Sequence, residues 1–364
     1  MKKIRLILFL LLAAAWGVEA ATITVSNDTD NPGEYDDLQA AVDAASAGDT
    51  ILVSPSGINT SNRAISYGNV TINKKLTLLG PGINQETPGE AAFIIGTITL
   101  DEQGPTLPDA SGTVIQGLVI TSPSSGGEIR LRASLDDILI EKCYVKSINY
   151  SGDEFNNVLI KNNIIKFFRF GLDAENSENI LFSNNIIEAN VGGFFGINVY
   201  GNIVFRNNVF IGKNIDPEGP FLLPLRNMKN LILENNIFWA WEPGGCTECT
   251  FTNNLTYANF NNELIGENSN NPGSVGSGNI INQDPQFVNY DGGVFEYTDD
   301  FNLQTGSPAI GAGISGVDVG IYGGSYPWNI DVATIVPEVT SLIITESSVP
   351  EDGQLEFTFS AEKQ

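Results

Sequence analysis

The hydrophobic positions of this chain fall in short clusters interrupted by pairs of asparagine. NNVLIKNNIIKFF, residues 156 to 168, sets Leu159-Ile160 and Ile164-Ile165 on either side of Asn162 and Asn163. The phrase returns as NILFSNNIIEA, NIVFRNNVFIG, NLILENNIFWA and a weaker CTFTNNLTYA. The pairs begin at Asn162, Asn184, Asn207, Asn235 and Asn253, so successive steps are 22, 23, 28 and 18 residues. A period near this length marks a solenoid in which each repeat is one turn of chain. Helical repeats need about 33 residues or more, and the 3.6-residue apolar rhythm of a helix is missing. β-branched and aromatic clusters flanking Asn-Asn predict strand, sharp turn, strand.

Stacked coils of that kind form a parallel β-helix, each strand bonded to its equivalents about 4.8 Å above and below. Asparagine is a poor strand former and is costly to bury unpaired. It accepts the left-handed conformation of a sharp turn more readily than most residues, and stacked asparagines pass amide hydrogen bonds along a ladder. Asn162, Asn163, Asn184, Asn185, Asn207, Asn208, Asn235, Asn236, Asn253 and Asn254 are therefore predicted to be turns whose inward amides satisfy one another.

Further coils read at AAFIIGTITLDEQG, GTVIQGLVITS and DDILIEKCYVKS. About ten to twelve coils give a rod roughly 50 Å long. In the last of these, Cys143 aligns with the second asparagine and reads as a buried ladder substitute. The widest step contains KNIDPEGPFLLPLRNMKN and predicts a protruding loop, as does the Asn-, Gly- and Ser-rich stretch 258–284. Near the N-terminus, DDLQAAVDAASAGDTILVSPSG predicts a short amphipathic helix from Leu38 to Ala45, a Gly48-Asp49 turn and a buried strand.

Here a resemblance becomes specific. LQAAVDAASAGDTILVSPSG followed by VTINKKLTLLGPG resembles the N-terminal cap and first coils of the pectin-lyase-like right-handed parallel β-helix superfamily. DPQFVNYDG and DFNLQTGSPAIGAGISGVDVGIYGG resemble the closing coil of its secreted bacterial members. The resemblance runs from about Ala21 to Gly324 and implies an all-β solenoid with a helical plug over its open strand edges. Residues 21–328 are assigned to the β-helix. Residues 329–364 are assigned to a proline-marked linker and a short two-stranded tail around Pro350-Glu351-Asp352-Gly353, too small to stand as a domain.

Composition narrows the setting. MKKIR, LILFLLLAAAW and Val18-Glu19-Ala20 have the pattern of a signal peptide over residues 1–20, cleaved near Ala20. The apolar stretch is too short to favour a membrane anchor, and no later segment is long and apolar enough to span a bilayer. The protein is expected to be secreted or held at the cell surface. With 18 Lys+Arg against 43 Asp+Glu, the formal charge of −25 repels nucleic acid and anionic membranes. Loop carboxylates would tolerate calcium, although acidity alone does not show binding.

Candidate chemistry is sparse. The chain has 3 cysteines and no histidine, which excludes Ser-His-Asp and Cys-His catalysis and histidine metal sites. Cys246 and Cys249 have CxxC spacing, but no second pair accompanies them. A local disulfide, or two small residues in a turn, is the preferred reading over a metal or redox site. The resemblance implies association with polysaccharide without implying an enzyme. The clustered aspartates of the pectin hydrolases have no counterpart here, and no lyase signature surrounds the lysines and arginines. Aligning the repeats brings Lys166, Arg169, Glu188, Lys213, Trp239 and Trp241 near one side of the rod. Aromatics beside charges could stack on sugar rings and hold acidic groups; alternatively they are a widened aromatic core with solvated charges. Three functions stay open: carbohydrate binding or adhesion without catalysis, which is preferred; a lyase or hydrolase acting on an acidic polysaccharide; and a purely structural surface protein.

Overall fold

In a computed structural model the described residues are 20–83, 90–104, 109–122, 126–151, 154–170, 177–189, 195–196, 199–200, 203–212, 225, 228–241, 243–258, 271–331, 338–344 and 357–362. Side chains of 167–170, 189, 195–196, 199–200, 338–344 and 357–362 are outside that description. So are the residues of the expected leader as far as 19, most of the expected loop 213–230 and the expected turn around Pro350-Glu351-Asp352-Gly353.

The chain winds as a parallel β-helix. One long sheet runs through eleven strands in succession among the described residues, from Thr22–Val25 to Val275–Ser277. A second runs from Val70–Ile72 to Leu255–Tyr257, and short strands at Val199–Tyr200, Met228–Lys229 and Cys246–Thr247 form a third. Pairing is in strict register. Ile160, Phe182, Phe205, Leu233 and Phe251 stack inward on the first sheet and are fully buried. Their neighbours Leu159, Leu181, Val204, Ile232 and Thr250 stack on the outer side. Period-two alternation thus divides each strand between core and surface. Like side chains meet along the axis: Phe182 and Phe205 stack at 4.8 Å, and Phe210 and Phe238 at 4.6 Å.

The asparagine pairs divide their labour. Asn162, Asn184, Asn207, Asn235 and Asn253 all have φ between 53° and 56°, a left-handed corner that turns the side chain outward. The continuous inward ladder is made by the second member of each pair, while among the first members Asn235 donates to Asn207 at 3.4 Å. The side-chain oxygen of Asn185 accepts from both the backbone N–H and the amide of Asn163, at 2.9 and 3.0 Å. Asn208, Asn236 and Asn254 repeat the arrangement rung by rung. Each ladder amide also donates to a carbonyl of the adjoining coil, as Asn208 does to Phe182 at 3.0 Å. The expectation that both amides of a pair point inward is corrected by this corner geometry.

The ladder is also longer than the Asn-Asn pairs. Asn279 accepts from Asn254, with Gly278 (φ 65°) holding the corner. Cys143 stands at the other end, its N–H donating to Asn163 at 2.9 Å. Burial pushes its thiol up to about 12, so it stays protonated. Cys246 and Cys249 form a disulfide inside the solenoid.

The N-terminal end is closed by α1, Leu38–Ala44. Asp37 caps it by accepting from Ala40 at 2.7 Å, and Leu38, Ala41 and Val42 face the core. Gln39 stands in for a missing strand, accepting from Thr71 N–H at 2.7 Å and donating to Thr71 O at 3.1 Å. Edge groups that would otherwise stay unpaired are satisfied this way.

The segment that resembles a closing coil does not close the stack. The last rung is Val275–Ser277, inside the stretch read as an excursion, and 259–270 lie outside the described residues. After it the chain turns back along the side. Phe287–Asn289 and Asp300–Leu303 pair antiparallel, and the segment from Ala309 onward runs over the outward asparagines. Asn253 donates to Ala312 O at 2.6 Å, and Asn235 accepts from Ile314 N–H at 2.9 Å. Asn207 donates to Asp318 O and Gly320 O, and Asn184 to Ile321 O and Gly323 O. The cause is the outer row of the second sheet: Val119, Ile164, Ile186, Val209, Ile237 and Leu255 are apolar and would face water without a cover. Phe287, Tyr290, Phe301, Val319 and Ile321 complete that second core. Beyond it, Glu338–Ile344 and Phe357–Glu362 pair antiparallel.

Candidate functional site

Burial decides the fate of the predicted aromatic-and-charge row. Trp239 is 8% exposed and Trp241 6%. Trp239 points out of the second sheet, but the returning segment covers it: Phe287 stacks on it at 5.6 Å, and Tyr257 and Tyr290 meet it edge-on. Trp241 points the other way, into the solenoid, edge-on to Phe210 at 5.2 Å. Neither indole has a face free to stack on a sugar. Lys166 and Glu188 do come together as an ion pair, with Glu188 buried. Arg169 lies on the strand Ile164–Phe170, its side chain outside the description, and Lys213 lies outside the described residues. The row is therefore an internal seam of the described structure and not an open groove. The strand ends at Trp239, the left-handed backbone of Ala240 (φ 49°) turns Trp241 to the opposite side, and chain folding back from residue 281 onward sealed the outer one.

The first sheet keeps most of its outer side, although the returning segment reaches it at Lys142 and Lys161. One register row there is apolar and half-buried: Val114, Leu139, Leu159, Leu181, Val204 and Ile232. Beside it runs a polar row made by the residue immediately before each corner: Glu141, Lys161, Ser183, Arg206 and Glu234. Lys161 pairs with Glu141 across one rung, and Arg206 with Glu234 at 2.7 Å across another. Arg206 is the more open of the two cations, with 44% of its side chain exposed. From the returning segment, the Tyr326 ring lies 5.5 Å from the Lys161 ammonium, and Lys142 donates to Asp331 O. On the far flank Asn179 donates to Asn157 at 3.0 Å in a short exposed amide row.

This strip was readable and was missed. KNN, SNN, RNN, ENN and TNN each carry an outward residue directly before the corner, whereas the positions after the pair belong to the covered sheet. Among the described residues, no group of three or more Asp, Glu, Cys or His is placed to hold a metal. No helix among them is long and apolar enough to cross a membrane.

The class of protein follows from register and comparison together. Residues 94–238 match the family model described as right handed beta helix region. The coils of the two long parallel sheets form a right-handed β-helix. Comparison with curated proteins finds no match.

Proposed function

We propose that the protein is exported and binds an extended carbohydrate chain, without catalysis, along the outer face of its first sheet. The observation that carries this reading is the asymmetry of the rod: the outer row of the second sheet is buried under the chain itself, whereas the first presents a regular strip. Rungs repeat at about 4.8 Å, a step comparable to one sugar residue of an extended chain. Aliphatic side chains offer the apolar surface that a pyranose face can lie against. Lys161 and Arg206 stand two rungs apart, so they can meet acidic groups carried on alternate sugars. Tyr326 adds a ring beside Lys161. Glu141 and Glu234 hold the two cations in place along the strip. The buried Cys246–Cys249 disulfide supports export, since such bonds persist in oxidising compartments.

The test is binding to a panel of polygalacturonate, alginate, chondroitin sulfate and neutral dextran. Lys161→Ala with Arg206→Ala is expected to weaken retention of the acidic members at least tenfold and to remove most of its salt dependence. Equal retention of wild type and double variant would move the site elsewhere. Release of unsaturated uronic products during the same incubations would replace this reading with a lyase.

A further inference from the structure

Glu188 joins the solenoid to its lateral cover. It lies on the strand Ile186–Ala189 of the second sheet, with only 3% of its side chain exposed. One carboxylate oxygen takes the Lys166 ammonium and the backbone N–H of Phe295, the latter at 3.1 Å, from the turn between the two cover strands. The other oxygen, Oε2, is buried with no hydrogen-bond partner. Lys166 in turn sits 5.4 Å from the Tyr144 ring. The titratable groups that bear on this carboxyl from its own sheet are Lys166 and Tyr144. From the cover they are Asp299, whose side chain accepts from Glu296 N–H at 2.8 Å, and Tyr290, with Asp291 and Glu296 beside Asp299.

We propose that Glu188 is a pH-dependent catch: with its carboxyl neutral the cover closes tightly on the second sheet, and ionisation loosens it around Phe295. In the ionised state an oxygen bearing charge is shut away from water without a donor, one cation answers it, and the cover brings Asp299 toward it. Protonation lowers that cost, because an unpaired neutral hydroxyl is cheaper to bury than an unpaired charge, while the other oxygen keeps the Phe295 N–H. Lys166, 15% exposed at its side chain, keeps contact with solvent.

Burial pushes the Glu188 carboxyl above its ordinary value of 4.5, against the opposing pull of Lys166, and Asp299 is raised for the same first reason. Opening returns the group to water and to its ordinary value. Closing therefore takes up a proton. The covered state gains as pH falls toward 4.5 and loses as pH rises through the carboxyl's value in the closed molecule. Each unit of displacement changes the closed-to-open ratio about tenfold.

Trp239 lies under the cover and reports on it. In the mature protein carrying Trp241→Phe and Trp328→Phe, acrylamide quenching of Trp239 is expected to fall as pH is lowered from 8 to 5. Glu188→Gln should remove this dependence and hold quenching near the low acid value. Lys166→Met should keep the dependence and move it to higher pH, because the stabilising cation is gone. Hydrogen-exchange protection of the 287–303 peptides, corrected for intrinsic rates, reads the same equilibrium in the protein with all tryptophans retained. A pH-independent signal in wild type overturns the catch. So does full pH dependence in Glu188→Gln, which would assign the titration to Asp299.

Discussion

Asn208→Leu is expected to lower stability by about 3 to 6 kcal/mol, because several buried groups lose partners at once and each orphan costs about 1–3 kcal/mol. The Asn208 oxygen accepts from the backbone N–H and the amide of Asn185, both at 3.0 Å. Its amide donates to Phe182 O and to Asn236. Leucine fills the space and satisfies none of these. Asn207→Leu should act by another route: it removes the donor to Asp318 O and Gly320 O and the acceptor of the Asn235 amide, and places a γ-branched residue at φ 55°. It loosens the returning segment and leaves the ladder intact. Thermal unfolding followed by far-ultraviolet circular dichroism separates the two, with a large fall in midpoint for Asn208→Leu. If the two variants had equal midpoints and equal exchange in the 309–324 peptides, the division between inner and outer asparagines would be wrong.

Trp239→Ala is the second large effect. Removing a buried tryptophan typically costs about 3–5 kcal/mol, and here the loss falls on the seam between solenoid and cover. Phe287, Tyr290 and Tyr257 all lose a neighbour. The expected result is early proteolytic cutting between residues 281 and 331 while the coils keep their β spectrum. Carbohydrate binding should survive in the uncut variant, at most losing the contribution of Tyr326, since Lys161 and Arg206 lie on the first sheet. Were proteolysis unchanged and binding lost, Trp239 would be a ligand platform and not a packing residue.

The solenoid was legible because its cause is repeated. Most coils share one left-handed corner, taken by Gly117, Asn162, Asn184, Asn207, Asn235, Asn253 and Gly278 and once by Lys142, so the period is written in the chain. The helix cap was legible for a similar reason: the Asp37–Ala45 stretch carries both a capping side chain and an apolar face. Direction within the pair was not legible. Asn162 and Asn163 are the same residue type, and only the backbone at Asn162 (φ 55°) decides which amide turns inward. Asn279 escaped a search for pairs because Gly278 takes the corner in place of asparagine. The seam escaped for a different reason. Trp239 is an outward residue by alternation, and its burial depends on Phe287 and Tyr290, some fifty residues later in the chain. No local pattern in DPQFVNYDG distinguishes a further coil from a strand that returns along the side. The polar row from Glu141 to Glu234 was present in the repeat all along, one residue before each corner.

The measurement that bears most directly on the function is a hydrogen-exchange footprint with the acidic polysaccharide that binds best in the panel. Added protection is expected in peptides covering Leu139–Glu141, Phe155–Lys161, Ile203–Arg206 and Ile232–Glu234, whose outer side chains form the strip. The cover peptides spanning 287–303 should exchange as they do in the free protein. Protection confined to 287–303, or binding by none of the panel, would contradict the assignment of the first sheet as the carbohydrate face.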